Sequence, residues 1–553
     1  MSLAASASVS PAPPRARRAP RRWTALVGAG LTLRLLSRAR KLSGESWWAR
    51  HAGDIQRRQL RRLLIRAADT EFGRRHGFGA VASRTDHDMV RALRDAVPLA
   101  DYEAFRPLMQ RMREGAEPDV TWPGIVRDWA QTSGTTGGQK YIPVSAQMMR
   151  SNYRAALDIF AHAMRFGVDL PTLTSGRLLF LGGSTSLDVS PKGIRTGDLS
   201  GLVTPLIRWP LTEVYSPGAE IALMDHWPSK IAAMARQSIG QDVRMVSSMA
   251  SWSLVLFQRV VELARAEGRP AASLRDIWPD LTLFVHGGVK YAPFDPRVRE
   301  VWSGDPTVDI PHRLEVYPAS EGFIAVQDRA GDPGLRLHTD LEVFYEFVPL
   351  EEIDSPDARA FTCDEVEPGQ RYVVTMTTCA GLWRYVIGDV VMFDTIPPDG
   401  PPRLRIVGRH RHFINAFGEN LIVEDIERGV VAARQAAGAR IEEFTAAPVY
   451  PAEGRRSGLE LVVEWAGPRD EKTLRSFADE FDAALRTANV DYDTKRTGDL
   501  GMAPPDVTPV EPGTFHRWMA SRGRLGGQNK VPRCANHRDY VEGLLRTAAE
   551  GPT

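Results

Sequence analysis

Mostly apolar segments that end in glycines constrain the fold of this chain more than any other sequence feature. Residues 177–181 run into Gly182-Gly183, and residues 281–285 are followed by His286 and a second pair, Gly287-Gly288. Segments with helical spacing of apolar residues, such as 254–266, lie between runs of this kind. Alternating buried strands and helices are typical of a largely parallel sheet. The sequence therefore predicts an α/β fold with ligands at the carboxyl ends of the strands.

The pattern changes after His338. Strand-like segments then follow one another without intervening helices, at 341–347, 371–376 and 390–393. Consecutive strands of this kind usually form antiparallel sheets. We therefore expect a β subdomain next to the parallel sheet.

A second change follows Gly408, where helical and strand-like segments alternate again. We predict a small α+β domain over residues 411–553 and a large domain over residues 46–410. Residues 1–45 are basic, and we expect them to form a disordered tail that runs into an amphipathic helix.

The charge and the cysteines of this 553-residue chain exclude some classes of protein. Its net charge is +2, but the first 41 residues carry eight Arg and Lys41 without an acid, which leaves −7 on the remainder. A negative body disfavours a nucleic-acid-binding protein. The three cysteines are odd in number and lack metal-ligand spacing, which argues against a disulfide framework and for a reducing compartment. We expect a cytoplasmic protein.

The apolar segment nearest the start does not predict a membrane-spanning helix. It comprises only residues 23–33, whereas a span needs about 20 residues. Arg21-Arg22 in front of it imitates a twin-arginine export signal, but no small-residue cleavage box follows. Contact of the basic segment with anionic lipid stays open as an alternative.

The strongest chemical signal is a segment rich in glycine and hydroxyl groups, which we place between a strand over 125–129 and a helix over 147–166. It reads Thr132-Ser133-Gly134-Thr135-Thr136-Gly137-Gly138-Gln139-Lys140. Glycines expose backbone N–H groups, hydroxyls add donors, and a lysine adds positive charge, a combination that suits a polyphosphate. A Walker A loop is excluded because Tyr141 follows the lysine. A plain glycine-rich surface loop remains the alternative.

This segment resembles the phosphate loop T-S-G-T-T-G-x-P-K of the adenylate-forming enzymes, the superfamily of acyl-CoA synthetases and luciferase, with Gln139 where proline is usual. Further motifs follow in the order of that superfamily. They are His286-Gly287-Gly288-Val289, Tyr317-Pro318-Ala319-Ser320-Glu321-Gly322, Leu382-Trp383-Arg384-Tyr385-Val386-Ile387-Gly388-Asp389 and Gly408-Arg409. The resemblance implies a large N-terminal domain and a smaller mobile C-terminal domain.

The resemblance also implies roles for single residues. Gly287-Gly288 would lie against adenine and Tyr317 would stack on it, although a simple sharp turn is the alternative for the glycines. Ser320 would bind the α-phosphate, and the carboxylate of Glu321 would hold Mg²⁺.

Two further residues would bind the rest of the nucleotide. Asp389 would accept hydrogen bonds from both ribose hydroxyls, since an ionised carboxylate is an acceptor only. Arg409 would contact ribose or phosphate oxygens. The usual hinge aspartate aligns with Arg411, which leaves the hinge residue open.

A lysine near the C-terminus makes the resemblance more specific. Lys530 is one of only eight lysines among 70 basic residues and lies in Gln528-Asn529-Lys530-Val531-Pro532-Arg533. This segment, Thr70-Glu71-Phe72-Gly73 and Ser251-Trp252 resemble the auxin-responsive (Gretchen Hagen) family of acyl acid amido synthetases, in particular its microbial members. The resemblance covers about residues 55 to 533. It implies that Lys530 swings over the α-phosphate and stabilises the charge that develops there.

The family resemblance implies a two-step reaction with ATP and Mg²⁺ as cofactors. A carboxylic acid is adenylated, and an amine, typically an amino acid, then displaces AMP to give an amide. Catalysis would come from positioning and from charge neutralisation by Lys140, Lys530, Arg409 and Mg²⁺ bound at Glu321. We expect a monomer without a covalent nucleophile.

Two alternatives and the identity of the substrate stay open. The first alternative is a ligase of the same fold that forms a coenzyme A thioester, and the second is a non-catalytic nucleotide-binding or membrane-associated scaffold. The resemblance places the acyl pocket between the 247–252 segment and the turn near His286. Met249, Trp252 and His286 are therefore the predicted substrate residues.

Overall fold

The computed structural model of the chain describes residues 23–133, 139–183, 187–204, 207–224, 226–292, 294–410, 413–415, 417–419, 421–452, 455–467, 470–499, 501–522 and 531–550. Within these residues the side chains of 133, 139, 413 and 499 are not described.

The described strands, numbered in chain order, are β1 Asp128–Ser133, β2 Gln139–Val144, β3 Arg177–Phe180, β4 Asp188–Val189, β5 Arg195–Gly197, β6 Tyr215–Ser216, β7 Val243–Ser248, β8 Leu283–Gly287, β9 His312–Ala319, β10 Gly322–Gln327, β11 Leu335–Leu337, β12 Val343–Pro349, β13 Arg371–Thr378, β14 Tyr385–Thr395, β15 Arg403–Arg409, β16 Phe413–Ile414, β17 Leu421–Ile422, β18 Arg440–Val449, β19 Gly458–Ala466 and β20 Asp506–Val510.

The described α-helices are α1 Thr24–Ser43, α2 Glu45–Ala67, α3 Glu71–Arg75, α4 Phe78–Ala82, α5 Asp86–Ala96, α6 Tyr102–Gln110, α7 Ala146–Arg165, α8 Leu170–Thr174, α9 Leu199–Val203, α10 Ala219–Ala222, α11 Trp227–Ile239, α12 Ala250–Ala266, α13 Asp295–Ser303, α14 Val423–Ala437, α15 Glu471–Ala488, α16 Val490–Arg496, α17 Thr514–Ser521 and α18 Asp539–Ala549.

One eleven-stranded sheet joins the two strand patterns that the sequence distinguishes. Its order is β12-β13-β14-β15-β11-β10-β9-β8-β7-β3-β6. The strands from β6 to β9 pair in parallel, and those from β9 to β12 pair antiparallel. The predicted α/β fold is confirmed, and the expected β subdomain is the continuation of the same sheet. β9 is the strand at which the pairing changes.

The sheet is stable because its strands are apolar and covered. Every residue of β8 and of β12 is buried. Helices α11 and α12, which follow or precede parallel strands, contribute to the same buried cluster as β7 and β8. This is the arrangement that continuous apolar strands predict.

A separate three-stranded sheet, in the order β18-β19-β20, lies within residues 411–553, the predicted small domain. Its core is not isolated, because Ile414, Phe417 and Ile426 belong to the same buried cluster as Trp227 and Trp252 of α11 and α12. In this conformation apolar packing therefore holds the C-terminal segment against the parallel half of the large sheet.

The N-terminal region differs from the expectation. Residues 24–43, predicted as part of a disordered tail, form helix α1, and residues 45–67 form α2. Leu35 and Leu42 of α1 are buried. The Arg38 guanidinium contacts the carboxylates of Asp158 on α7, at 2.5 Å, and of Asp340, at 2.7 Å. These contacts stabilise helix α1, although the basic composition of the segment gives no sign of them. Among the helices of the described residues, none is both long and apolar enough to cross a bilayer.

We predict that Arg38→Ala lowers the free energy of unfolding by about 3–5 kcal/mol, because it leaves two mostly buried carboxylates without their cation. Thermal or urea unfolding, with limited proteolysis of α1, measures this loss. The matched control is Arg40→Ala, at an exposed arginine of the same helix, for which we expect a change below about 0.5 kcal/mol. Equal effects of the two substitutions would show that the Arg38 ion pairs do not anchor α1.

Candidate active site

A buried carboxylate connects three strands at the centre of the predicted nucleotide site. Asp389 on β14 lies opposite Arg409 on β15, and the Arg409 Nε donates to Asp389 Oδ1 at 2.6 Å. The Tyr317 hydroxyl on β9 donates to the other oxygen, Oδ2, at 2.5 Å. Burial disfavours the charge of Arg409, but Asp389, Tyr317 and Glu321 together outweigh it, so the pKa of Arg409 rises. Burial, reinforced by the Asp389 charge, raises the pKa of Tyr317 well above its usual value, so the phenol stays protonated.

The carboxylate of Asp389 retains capacity for a ligand. An ionised carboxylate offers about four lone-pair directions, and the two hydrogen bonds to Tyr317 and Arg409 occupy only one on each oxygen. The site is therefore preorganised and can still accept hydrogen bonds from a diol.

A two-residue turn brings the predicted metal ligand to the same place. β9 and β10 form a hairpin in which Ala319 pairs with Gly322, so Ser320 and Glu321 form its tip. Ser320 is half-buried and Glu321 is buried. Burial raises the pKa of Glu321, and the positive charge of Lys140 opposes that rise. A buried carboxylate at a hairpin tip is a position that favours a bound cation.

Lys140, predicted to neutralise phosphate, interacts electrostatically with Glu321. It lies on β2, is buried, and its Nζ is 5.7 Å from the centroid of the Tyr102 ring. Burial lowers the pKa of Lys140, and the charge of Glu321 acts against that shift. Lys140, Glu321, Asp389 and Arg409 thus form one electrostatically coupled group of alternating sign.

Tyr385 belongs to this group, although the sequence predicted no role for it. Burial and the Glu321 charge raise the pKa of its hydroxyl well above the usual value. The hydroxyl is buried and makes no hydrogen bond of normal geometry within the described part of the chain. Glu321 acts on this hydroxyl both through its charge and as a side-chain hydrogen-bond partner, so Tyr385 is a further polar side chain placed at the carboxylate. The sequence does contain a signal for Tyr385, because this residue lies four positions before Asp389 in the motif from Leu382 to Asp389.

The glycine turn after β8 lies beside β9, at the carboxyl end of β8, where the sequence predicts that ligands bind. Gly287 pairs with Val316, one residue before Tyr317. A Cβ on Gly287 would stand 2.2 Å from the Val316 carbonyl oxygen, and Gly288 has a φ of +80°. Only glycine fits both positions, so the backbone of this turn comes close to whatever Tyr317 contacts.

The three predicted substrate residues lie near the carboxyl ends of β7 and β8, but their side chains contact other groups of the protein. The Trp252 Nε1 donates to the carbonyl oxygen of Phe417 at 3.0 Å. The side chain of Met249 lies between Gly288 and Gly418. His286 is buried and stacks on Tyr291, with ring centroids 4.1 Å apart, and burial lowers its pKa to about 3. Their role in substrate binding stays a prediction.

Part of the predicted site lies outside the described residues. This holds for Gly134, Thr135, Thr136, Gly137, Gly138, Arg411 and Lys530, and for the side chain of Ser133. The flanks of the phosphate loop are described, and one of them contains a strand that the sequence did not predict, the antiparallel β2. Helix α7 begins within one residue of its predicted start, after the N-cap Ser145, whose Oγ accepts from the Met148 N–H. Lys140 is therefore held by a strand.

The described part of the chain contains no group of three or more His, Cys, Asp or Glu that could hold a metal ion by itself. Mg²⁺ commonly binds through one or two carboxylates together with phosphate oxygens of a substrate. Glu321, a single buried carboxylate, fits a Mg²⁺ ion that arrives with a nucleotide.

The sequence is similar to known proteins over most of its length. The sequence matches the GH3 family N-terminal domain over residues 48–209, the GH3 family central domain over 337–409 and the GH3 family C-terminal domain over 424–539. It is 24% identical to the indole-3-acetic acid-amido synthetase GH3.8 of Oryza sativa subsp. indica, over 88% of this chain and 89% of that protein. It is 21% identical to GH3.3 of Arabidopsis thaliana, over 89% and 91%.

Solved structures show the same fold. One is the AtGH3.15 acyl acid amido synthetase in complex with 2,4-DB, with a TM-score of 0.55, 18% identity and coverage of 93% of this chain and 95% of that one. Another is 2-hydroxyisobutyryl-CoA ligase, with a TM-score of 0.53, 16% identity and coverage of 92% and 94%. The three family matches span more than half of the sequence, and we conclude that the chain belongs to the GH3 family.

Proposed function

We propose that this protein is a ligase that adenylates a carboxylic acid with ATP and transfers the acyl group to an amine, in particular an amino acid. The observation that carries the proposal is the group formed by Tyr317, Asp389 and Arg409 beside Glu321 and Lys140. Its family membership supports the same conclusion, since the relatives it matches are amido synthetases.

Each member of this group has a place in nucleotide binding. Asp389 accepts hydrogen bonds from the ribose hydroxyls, and Arg409, held by Asp389, donates to ribose or phosphate oxygens. The ring of Tyr317 and the turn at Gly287-Gly288 enclose adenine. Ser320 and the segment from Ser133 to Lys140 bind the phosphates.

Glu321 would hold the Mg²⁺ that accompanies ATP, and the bound ion would neutralise phosphate charge. Lys140, whose charge acts on Glu321, would also neutralise phosphate charge. The substrate carboxylate attacks the α-phosphorus and pyrophosphate leaves. The amine then attacks the carbonyl carbon of the acyl adenylate. The bond between that carbon and the bridging oxygen breaks, AMP leaves with this oxygen, and the amine nitrogen releases a proton to solvent.

No thiolate of this chain supports a covalent route. All three cysteines are free and buried. Burial raises the pKa of each thiol, that of Cys534 to about 12. Catalysis by positioning and charge stabilisation is therefore the proposal that fits these residues.

The division into a large domain over 46–410 and a small mobile domain over 411–553 belongs to this proposal, with a hinge near Arg409 to Asn415. So do a monomeric state and a cytoplasmic location. The small domain carries Lys530, which closes over the α-phosphate during adenylation.

A thioester-forming ligase is the second candidate, because 2-hydroxyisobutyryl-CoA ligase shares the fold. Both candidates share the adenylation step, so the acceptor decides between them. The deciding experiment supplies ATP, Mg²⁺ and a panel of carboxylic acids with either amino acids or coenzyme A, and identifies products by mass spectrometry. An amide together with AMP supports the proposal. A thioester as the sole acyl product would replace it with the second candidate, and ADP with phosphate would contradict both.

We predict that Asp389→Ala weakens ATP binding and raises the apparent dissociation constant roughly tenfold or more, because charge-assisted hydrogen bonds to ribose are worth about 1.5–3 kcal/mol each. Calorimetric titration with ATP measures the change. Asp394→Ala is the matched control, since Asp394 lies on the same strand and pairs with the exposed Arg405. ATP binding that is unchanged in a folded Asp389→Ala variant would remove Asp389 from the ribose site.

We predict that Lys530→Ala slows acyl-adenylate formation by roughly 10²–10³-fold, the size of a transition-state interaction. ATP affinity should change little, because the contact forms mainly in the transition state. Amide formation from a supplied acyl adenylate should be much less affected. Lys472→Ala, at an exposed lysine of the same predicted domain, is the control. Equal losses in both half-reactions would assign Lys530 a structural role.

A further inference from the structure

Helix α1 has two different faces. One face is packed against the body of the protein and contains Thr24, Gly28, Leu35, Ala39 and Leu42. The opposite face exposes large apolar side chains, with Leu26 at 71% and Leu33 at 73% exposure, together with Leu36 and the N-cap Trp23. At 100° per residue, these positions form one stripe along the helix. An exposed stripe of this kind indicates an interaction surface.

The stripe is held in place by the buried face. A Cβ on Gly28 would stand 2.3 Å from the carbonyl oxygen of Leu170, so α1 and α8 are in direct backbone contact. The Thr174 Oγ1 donates to the carbonyl oxygen of Thr24 at 3.0 Å. Further along, Arg38 binds Asp158 and Asp340. The exposed leucines therefore belong to a fixed helix and not to a frayed end.

Positive charge surrounds the stripe. Arg34, Arg40 and Lys41 are exposed on the same helix, and α1 contains no acid. The Lys41 Nζ lies 4.8 Å from the ring centroid of Trp47, which is itself partly exposed at the start of α2. Residues 1–41 contain nine basic residues and no acid. Apolar side chains flanked by cations and aromatic rings match the boundary between acyl chains and anionic headgroups.

We propose that the outer face of α1 docks this protein on a bilayer surface that contains anionic lipid. The helix lies in the plane of the interface, with Leu26 and Leu33 in the acyl boundary and the basic residues among the headgroups. Two other occupants fit less well. A nucleic acid offers phosphate to the cations but no apolar phase to the leucines. A second copy of the chain would bring two segments of the same charge together.

The test is co-sedimentation of the full-length protein with vesicles of phosphatidylcholine alone and of phosphatidylcholine mixed with phosphatidylglycerol. We expect binding to the mixed vesicles that weakens as salt is raised. The double variant Leu26→Ser/Leu33→Ser should bind mixed vesicles at least about tenfold more weakly, since each leucine contributes apolar burial. Val490→Ser is the matched control, a comparably exposed apolar residue on α16. A second variant, Arg40→Gln/Lys41→Gln, tests the contribution of these two cations to binding of the mixed vesicles.

Four results would overturn the proposal. They are absence of binding to mixed vesicles, equal binding to both vesicle types, undiminished binding of the folded leucine variant, and a dimer in solution that the leucine variant converts to a monomer. The last result would assign the stripe to contact between copies. ATP binding by the leucine variant should match that of the wild-type chain, because neither leucine belongs to the nucleotide site, and this readout confirms that the variant is folded.

Discussion

The carboxylate of Asp389 is the interaction on which the architecture of the site depends. It accepts from Tyr317, on the strand where parallel pairing changes to antiparallel pairing, and from Arg409, at the end of the last strand before the predicted hinge. A group that bridges the two halves of the sheet fixes their relative position at the point where a ligand of an α/β sheet is expected. Burial strengthens these contacts and also makes an uncompensated charge costly, so carboxylates and cations alternate here.

Glu321 and Lys140 compensate each other's charge only in part. Glu321 and Lys140 act on each other, yet burial still raises the pKa of the carboxyl and lowers that of the amine. Each charged form is thus less favourable than it would be in water. A Mg²⁺ ion near Glu321 and phosphate groups near Lys140 would relieve both costs at once. The charged forms of Glu321 and Lys140 are therefore more stable with these ligands bound than without them, which favours binding.

The sequence predicts the elements well where the hydrophobic pattern is strong and local. The expected strand at 371–376 is part of β13 Arg371–Thr378, and the expected helix at 254–266 is part of α12 Ala250–Ala266. It misses β2, because Pro143 argues against a strand; β2 tolerates the proline as the edge strand of its sheet. It also misses helix α1, whose basic composition indicates a tail while Asp158 and Asp340, far along the chain, stabilise it. The pairing of Tyr317 with Asp389 could not be predicted either, since it joins strands 72 residues apart.

The central claim is that this buried group is an adenylation site, and exchange of labelled pyrophosphate into ATP tests it most directly. Exchange requires that the acyl adenylate forms reversibly, and it does not depend on the identity of the acceptor. The account predicts exchange that requires both Mg²⁺ and a carboxylic acid and that proceeds without any amine or thiol. Exchange that needs no acid would contradict the account, as would absence of exchange with an acid that the protein demonstrably converts.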